Sequence, residues 1–462
     1  MQINDELRAR RRSMRLRLRG DVSHRLTAPQ IIIIGFIILI FCGGILLTLP
    51  ISSSSGEFTS FEDAMFTSVS AACVTGLIVQ NTGAYWSLFG QIVIILLIQI
   101  GGLGFMTLAV MLSMFIRRQI TPRERVVVAQ SLGLTGTGGA IRLVRRILIG
   151  TLIIEGTGAL ILATQFIPEF GFWSGLGMGA FHSISAFCNA GFDLLDSMTG
   201  FRENYVVEIT IMLLIVIGGI GFIVWDDLVN LALRKKRVSV YTKLVIITTA
   251  ALILVGALLI GFFEWDNDKT IGNMPLGHKL LHCFFQSITT RTAGYDIILN
   301  YNLTESTQIV CLVLMFIGGA SGSCAGGIKV SSFAVLLLAA KSNAVGRTDV
   351  SVFHRGISAD TISRALTICT INLSFGTIGA LIICFVDKVP IIPALYETIS
   401  AMSTVGLSLA LSPELSLASH IVTMLLMFFG RVGILTVTFS IMLKQAKLQS
   451  SIKYPEANLL IG

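Results

Sequence analysis

The sequence predicts an all-α membrane protein built from four helix–pore-loop–helix repeats. Of its 462 residues, 53% are hydrophobic and only 13% are charged, whereas a soluble domain carries about 25% charged residues. Long apolar stretches alternate with shorter, semi-polar segments, and a pair of glycine motifs recurs four times in the same order. These observations together predict eight transmembrane helices with four re-entrant pore loops around one central pore.

The apolar stretches set the expected number of spans. Because a helix rises 1.5 Å per residue, crossing a bilayer core of about 30 Å takes about 20 residues. Eight stretches reach this length, one of them irregularly. They cover residues 29–50, 88–116, 144–166, 205–233, 242–263, 307–340, 363–386 and 417–443. An even number of spans places both termini on the same side of the membrane.

The distribution of charge predicts the orientation. Basic residues lie in short clusters between the apolar stretches, beginning with an arginine-rich tail at residues 1–27. Basic loops face the cytoplasm under the positive-inside rule, which predicts a multi-pass plasma-membrane protein with both termini cytoplasmic. The net charge of +8 is therefore assigned to topology, and we expect contact with membrane lipid and no nucleic-acid partner.

Between paired spans lie four short segments that cannot cross the bilayer as helices. They cover residues 61–72, 176–187, 278–290 and 392–403. Such segments are allowed at membrane depth only where they are buried in protein or line water. Each segment is therefore predicted to be re-entrant.

The short segments share a pattern. An aromatic residue precedes a glycine by ten positions, or by nine in the third repeat, and a hydroxyl residue follows the aromatic by four. The glycines are Gly76, Gly191, Gly294 and Gly406. A second motif, Gly101-Gly102-Leu103-Gly104 in the first repeat, follows 24 to 27 residues later, and Arg431 replaces its second glycine in the fourth.

Two motifs that recur in register define the repeat boundaries. The predicted units are a basic tail at 1–27, repeat 1 at 28–118 with a pore loop at 61–77, repeat 2 at 140–234 with a pore loop at 176–192, repeat 3 at 241–341 with a pore loop at 278–295 and an intramembrane loop at 318–328, repeat 4 at 359–444 with a pore loop at 392–407, and a cytoplasmic tail at 445–462.

Extended backbone around each glycine could bind a dehydrated cation. Carbonyl oxygens can replace the water shell of an ion if they point at a common axis, and glycine permits the required φ and ψ at little steric cost. Each short helix would aim its partially negative C-terminal end at the same axis. The predicted filter residues are Val74, Thr75, Gly76, Asn189, Ala190, Gly191, Thr292, Ala293, Gly294, Thr404, Val405 and Gly406.

Four pore loops with one filter glycine each resemble the Trk/Ktr/HKT superfamily of potassium transporters, over residues 26–462. Eight spans behind a short basic tail are most similar to the Ktr-type membrane pore subunit. The resemblance implies channel-like potassium permeation in a Ktr-type uptake system, with potassium bound at the filter glycines. In this family, glycine at all four positions implies a preference for potassium over sodium as the permeant ion. Sodium is instead a candidate coupling or activating ion.

The resemblance also implies partners. Ktr-type pores form homodimers and dock on a ring of cytosolic regulatory subunits that bind adenine nucleotides. This chain has no G-x-G-x-x-G fingerprint after a strand, so nucleotide control is expected to come from another polypeptide. No cofactor is expected on the chain itself.

A further implication of the resemblance is an intramembrane gating loop in the third repeat. Residues 318–329 are rich in glycine, serine and alanine, and each glycine weakens a helix by up to about 1 kcal/mol. Close packing of small residues is the alternative. Arg431 is predicted near mid-membrane, where it would tether helices, repel cations while holding the loop carbonyls, or do both. The predicted gate residues are Gly318, Gly319, Ala320, Ser321, Gly322, Ser323, Gly326, Gly327, Lys329 and Arg431.

Two other functions stay open. A secondary transporter of another small solute that works by alternating access would commonly show two repeats. A membrane enzyme would need converging ionisable residues at membrane depth, and the sequence has few, with no Ser-His-Asp set or carboxylate pair. We therefore expect no catalytic residues and no enzymatic activity.

The sequence also contains isolated ionisable residues at or near the predicted membrane segments. Arg291 precedes Gly294 by three residues and is either a structural anchor behind the filter or an ion contact. His182 and His282 fall in short segments, where histidine is more often packed or hydrogen-bonded than a metal ligand. Asp226 and Asp227 are expected to form salt bridges near the basic cluster on the cytoplasmic side.

Overall fold

The computed structural model describes residues 28–104, 140–195, 198–234, 237–347 and 349–433. Within these ranges the chain is helical apart from loops and one small β-hairpin. The predicted tails at 1–27 and 445–462 lie outside the described residues, as do the ends of repeat 1 beyond 104 and of repeat 4 beyond 433.

The elements are numbered here in chain order. The α-helices are α1 (Ala28–Thr48), α2 (Phe61–Cys73), α3 (Thr82–Tyr85), α4 (Leu88–Leu103), α5 (Ala140–Phe170), α6 (Phe172–Cys188), α7 (Tyr205–Gly219), α8 (Phe222–Arg234), α9 (Val240–Glu264), α10 (Leu276–Thr289), α11 (Glu305–Phe316), α12 (Val330–Ala344), α13 (Ala359–Asp387), α14 (Ile391–Ser403) and α15 (Leu417–Val432). Strand β1 (Ser351–Val352) pairs antiparallel with β2 (Arg355–Gly356). Short 3₁₀ turns cover Pro50–Ser52, Met198–Phe201, Asn300–Asn302 and Ser412–Glu414.

Several helices are apolar enough to cross a membrane. Among the described residues, α1, α5, α9 and α13 meet the length and composition of a span, and α4, α11, α12 and α15 are shorter apolar helices. The sequence predicted one continuous span over 205–233, but α7 and α8 are bent by 98° where they meet. Gly221 at this break has a φ of +97°, a conformation that glycine adopts at little cost and that permits the sharp turn. The continuous apolar run carries no information on backbone conformation, so it did not reveal the bend.

Each long helix packs against the short helix that follows it. In three repeats a glycine of the long helix faces a serine of the short one, and a Cβ added to the glycine would lie 2.3 to 2.6 Å from the serine Oγ. Each serine hydroxyl donates to a carbonyl of the long helix at 2.6 to 2.8 Å. The pairs are Gly43–Ser68, Gly158–Ser183 and Gly256–Ser287. Small residues thus let the two backbones approach closely.

The second glycine motif also serves close packing. A Cβ on Gly101, Gly218 or Gly430 would lie only 1.8 to 2.1 Å from a carbonyl oxygen in the last turn of the short helix of the same repeat. In the third repeat, Gly318 instead approaches the carbonyl of Gly326, in the segment that follows α11. The second helix of a repeat therefore crosses the end of the short helix at a glycine.

Candidate functional site

The short helices end in backbone that turns sharply towards the four glycines. Val74, Asn189 and Thr404 cap α2, α6 and α14 in the left-handed conformation, with φ values of 58°, 58° and 51°. Helix α10 is capped by Thr290 in right-handed geometry, and the left-handed residue comes two positions later, at Thr292. This difference accommodates the shorter aromatic-to-glycine spacing of the third repeat.

The four glycines meet in a closed ring, called the glycine ring. All four have positive φ, between 68° and 98°. A Cβ on Gly76 would lie 2.4 Å from the carbonyl oxygen of Ala190, and the same relation links each repeat to the next and the fourth back to the first, at 2.3 to 2.7 Å. The oxygens belong to Thr75, Ala190, Ala293 and Val405. A side chain at any ring position would strike the backbone of a neighbouring repeat.

A hydroxyl near the end of each short helix holds the following strand. Ser70 and Ser400 accept the backbone N–H of the ring glycine of their repeat through Oγ, at 3.1 and 3.0 Å. Ser185 and Thr289 donate instead to the carbonyl of the residue after the glycine, at 2.9 and 2.8 Å. These are the hydroxyls of the sequence pattern, whose role the pattern did not predict.

The ring presents acceptor oxygens without competing donors. Over the described ranges, no hydrogen bond is donated to the carbonyl oxygens of Thr75, Ala190, Ala293 or Val405. The C-terminal ends of the short helices, which carry about half a negative charge each, lie beside these oxygens. Carbonyls arranged in this way can take the place of water around a cation.

A cavity of about 270 Å³ borders the ring and is lined by all four ring glycines. Asp193 and Asp296 also line it, and Asn300 donates to Asp296 at 2.5 Å. Carboxylates in a cleft raise the local concentration of cations. Neither aspartate was predicted from the sequence, although each stands two positions after a ring glycine.

A non-helical segment, the 317–329 loop, separates α11 from α12. The backbone N–H of Ala320 donates to the carbonyl of Gly219 at 3.0 Å, and the carbonyl of Gly322 accepts from the backbone N–H of Phe222 at 2.8 Å. A Cβ on Gly326 would lie 1.9 Å from Oγ1 of Thr404. The loop is therefore wedged between the bend of repeat 2 and the residues that precede the ring in repeat 4.

Arg431 reaches from repeat 4 into two other repeats. Its guanidinium donates to the carbonyl of Cys324 in the loop and to those of Gly101 and Gly102 in repeat 1, the last at 2.9 Å. The loop carbonyl contact expected from the sequence is thus present. The contact with repeat 1 was not foreseen, because its partners are more than 300 residues away in the chain.

Two further basic side chains hold the same loop. Arg291 is buried and donates to the carbonyl of Gly318 at 3.2 Å, and it is not among the residues that line the cavity at the ring. Lys329 donates to the carbonyl of Ala325 at 2.7 Å. These contacts favour the anchor interpretation of Arg291 over an ion contact.

The remaining residues singled out from the sequence have partners. His182 contacts the carboxylate of Asp193 at 2.7 Å, and Asp226 forms an ion pair with Arg146. Asp227 instead accepts hydrogen bonds from the hydroxyls of Ser239 and Thr242. His282 lies 3.2 Å from the carboxylate of Glu208.

Comparison with known proteins identifies the family. A family model described as TrkH, cation transport protein, matches residues 18–451. The chain is 39% identical over 450 residues to the potassium/sodium uptake protein NtpJ of Enterococcus hirae. This alignment covers 96% of this chain and 99% of that protein. It is 38% identical over 439 residues to the Ktr system potassium uptake protein B of Bacillus subtilis, covering 95% and 97%.

A solved structure shares the fold. The potassium transporter TrkH from Vibrio parahaemolyticus superposes with a TM-score of 0.66 at 18% sequence identity, covering 88% of this chain and 84% of that one. The family match and the full-length relatives confirm the resemblance drawn from the repeated glycine motifs. The chain is a multi-pass helical membrane protein, and it belongs to the TrkH family of cation transport proteins.

Proposed function

We propose that this chain is the potassium-translocating membrane subunit of a Ktr-type uptake system, and that potassium permeates through the glycine ring in a channel-like manner. The closed arrangement of four glycines against four carbonyl oxygens carries the proposal. Relatives that match almost the whole chain are named as potassium uptake proteins.

The filter consists of the three residues that each repeat contributes around the ring, from Val74 to Gly76 in the first. Neighbouring repeats approach so closely that a Cβ added to a ring glycine would lie 2.3 to 2.7 Å from a carbonyl oxygen of the next repeat. This close backbone packing fixes the positions of the ring oxygens. A ring that cannot contract favours the larger potassium ion over sodium. The carboxylate of Asp193, which lines the cavity beside the ring, raises the local concentration of cations.

The 317–329 loop is the gate, and Lys329 and Arg431 are its latch. The contact between the 317–329 loop and Thr404 brings the loop next to residues that precede the ring. In this position the loop obstructs the path of the ion. The positive charge of Arg431 repels cations in the same region. For the gate to open, the hydrogen bonds from Arg431 to the carbonyls of Cys324, Gly101 and Gly102 must break.

The wider arrangement follows the Ktr-type pattern. Eight spans and four re-entrant loops surround one pore in the plasma membrane, with both termini cytoplasmic. Two copies form a homodimer that docks on a ring of cytosolic nucleotide-binding subunits, in keeping with relatives whose names refer to a Ktr system. Sodium couples to or activates uptake, a role suggested by a relative named for potassium and sodium.

Rubidium uptake in a host that lacks its own potassium uptake tests the proposal. We expect saturable uptake that potassium inhibits, that exceeds the empty-vector control, and that depends on sodium. Absence of rubidium uptake by protein shown to be in the membrane, together with uptake of another small solute, would favour the alternating-access carrier.

A further inference from the structure

Away from the glycine ring, two histidines and a glutamate converge where repeat 2 meets repeat 3. Glu208 lies in the first turn of α7, and His278 and His282 lie one turn apart on α10, a spacing that puts both rings on one helix face. One potential ligand atom from each residue lies within 4.8 Å of the other two. We propose that this cluster binds a divalent transition-metal ion of the zinc class and thereby joins α7 to α10.

The cluster is buried and contains polar atoms without partners in the described part of the chain. Glu208 has no exposed surface and His282 is 1% exposed. Oε2 of Glu208 and Nδ1 of His278 are buried and have no hydrogen-bond partner among the described residues. Buried polar atoms are normally satisfied, because leaving them unpaired costs their hydration free energy. A metal ion would satisfy the carboxylate and the imidazole together.

The ligand spacing suits a tetrahedral metal. Nitrogen and oxygen ligands lie about 2.0–2.2 Å from Zn²⁺, so two of them are about 3.3 Å apart in a tetrahedral site. Nε2 of His282 and Oε1 of Glu208 are already 3.2 Å apart, and His278 offers a third potential ligand atom within 4.8 Å. Two imidazoles with one carboxylate favour zinc-class ions over Mg²⁺ and Ca²⁺, which prefer oxygen ligands.

The surroundings allow a metal ion to reach the cluster and to replace contacts that its residues already make. His278 is half-buried and stacks on Tyr205 with ring centroids 4.4 Å apart, so a metal can approach from its side. Nε2 of His282 lies 2.9 Å from the carbonyl oxygen of Arg202 and 3.2 Å from Oε1 of Glu208. A metal ion on this nitrogen would take the place of these contacts, since metal ligation needs an imidazole nitrogen that carries no proton.

Zinc retention by the purified full-length protein tests the inference. After chelation, incubation with ZnCl₂ and extensive dialysis, we expect one zinc per chain by elemental analysis and a higher unfolding temperature with Zn²⁺ than with Mg²⁺. His278→Phe keeps an aromatic ring against Tyr205 but removes both nitrogens, and Glu208→Gln keeps the shape while removing the charge. Both variants should lose the zinc and the temperature shift.

His354→Gln is the matched control, because His354 is exposed in the β-hairpin far from the cluster in sequence. It should retain zinc as the wild type does. Unfolding temperatures measured without metal show whether each variant is folded. Equal zinc retention by the wild type and by folded His278→Phe, or loss of zinc in His354→Gln, would overturn the proposal, and neither outcome depends on transport.

Discussion

The glycine ring and the 317–329 loop are both glycine-rich backbone among apolar helices, yet they use their carbonyl groups in opposite ways. Across the described residues, the ring carbonyls accept no hydrogen bond, while the backbone N–H of Thr75 donates to the carbonyl of Ser70 at 2.8 Å. In the loop, the carbonyl of Ser321 accepts from Tyr241 at 3.0 Å, and that of Ala325 accepts from Lys329.

On the proposed function, this difference separates two tasks. In the ring, backbone contacts between repeats fix the oxygens and leave them available to an ion. In the loop, side chains occupy the carbonyls of Ser321 and Ala325, and these hydrogen bonds can be exchanged at a lower cost than backbone contacts. On the proposed function, substitutions in the ring should therefore change which ion permeates, and substitutions around the loop should change how fast it permeates.

The largest effect is expected from Gly76→Ser. Gly76 has a φ of +94°, and the new Cβ would lie 2.4 Å from the carbonyl oxygen of Ala190, so the ring must open or distort. We expect the preference for potassium over sodium to fall by about tenfold or more, since the ion-coordinating geometry is lost. Competition of sodium with rubidium uptake measures this preference.

Gly56→Ser is the control for this variant. Gly56 also has a positive φ, +72°, but nothing lies within 4 Å of an added Cβ. It carries the conformational strain without the collision, and its ion preference should equal that of the wild type. An unchanged preference in a folded Gly76→Ser protein would place Gly76 outside the filter.

Deletion of Ala320–Ala325 should have the next largest effect. The deletion removes the carbonyl of Cys324 that Arg431 contacts and the N–H of Ala320 that donates to the carbonyl of Gly219. The remainder of the loop is then no longer held in place by these two contacts. Basal rubidium flux should rise several-fold, and regulation by the cytosolic partner should weaken. Wild-type flux from a well-expressed deletion would leave the loop with a packing role only.

Arg431→Gln should raise flux by less than the deletion does. Glutamine keeps a hydrogen-bond donor but removes the charge, and it cannot span the carbonyls of Cys324, Gly101 and Gly102 together. Arg364→Gln is the control, because its ion pair with Asp360 is exposed and contributes little. Wild-type flux from assembled Arg431→Gln protein would argue against a gating role, and failure to assemble would show that the tether dominates.

Local patterns predicted the ring better than its surroundings. The position of Gly76 follows from its spacing to Phe66, because helix length and the turn after it are set within a dozen residues. The family followed from the same repeats. The bend at Gly221 and the approach of Glu208 to His278 depend on which helices pack together, and a single sequence carries no direct signal of that packing.

The smallest effect is expected from Ser70→Ala, which tests how far the short helices position the ring. Ser70 Oγ accepts the N–H of Gly76 at 3.1 Å, and its loss leaves that buried donor unpaired at a cost of about 1–3 kcal/mol. We expect a lower free energy of unfolding and a reduced, but not abolished, potassium preference.

Two further variants sharpen this last comparison. Ser374→Ala removes an exposed bond to the carbonyl of Thr370 within one helix and should change neither quantity. Ser185→Ala removes bonds to Phe192, the residue after the ring glycine, so it should lower stability while changing ion preference less than Ser70→Ala. Equal ion preference in all three variants would mean that contacts between repeats alone, rather than the hydroxyls, hold the ring oxygens in place.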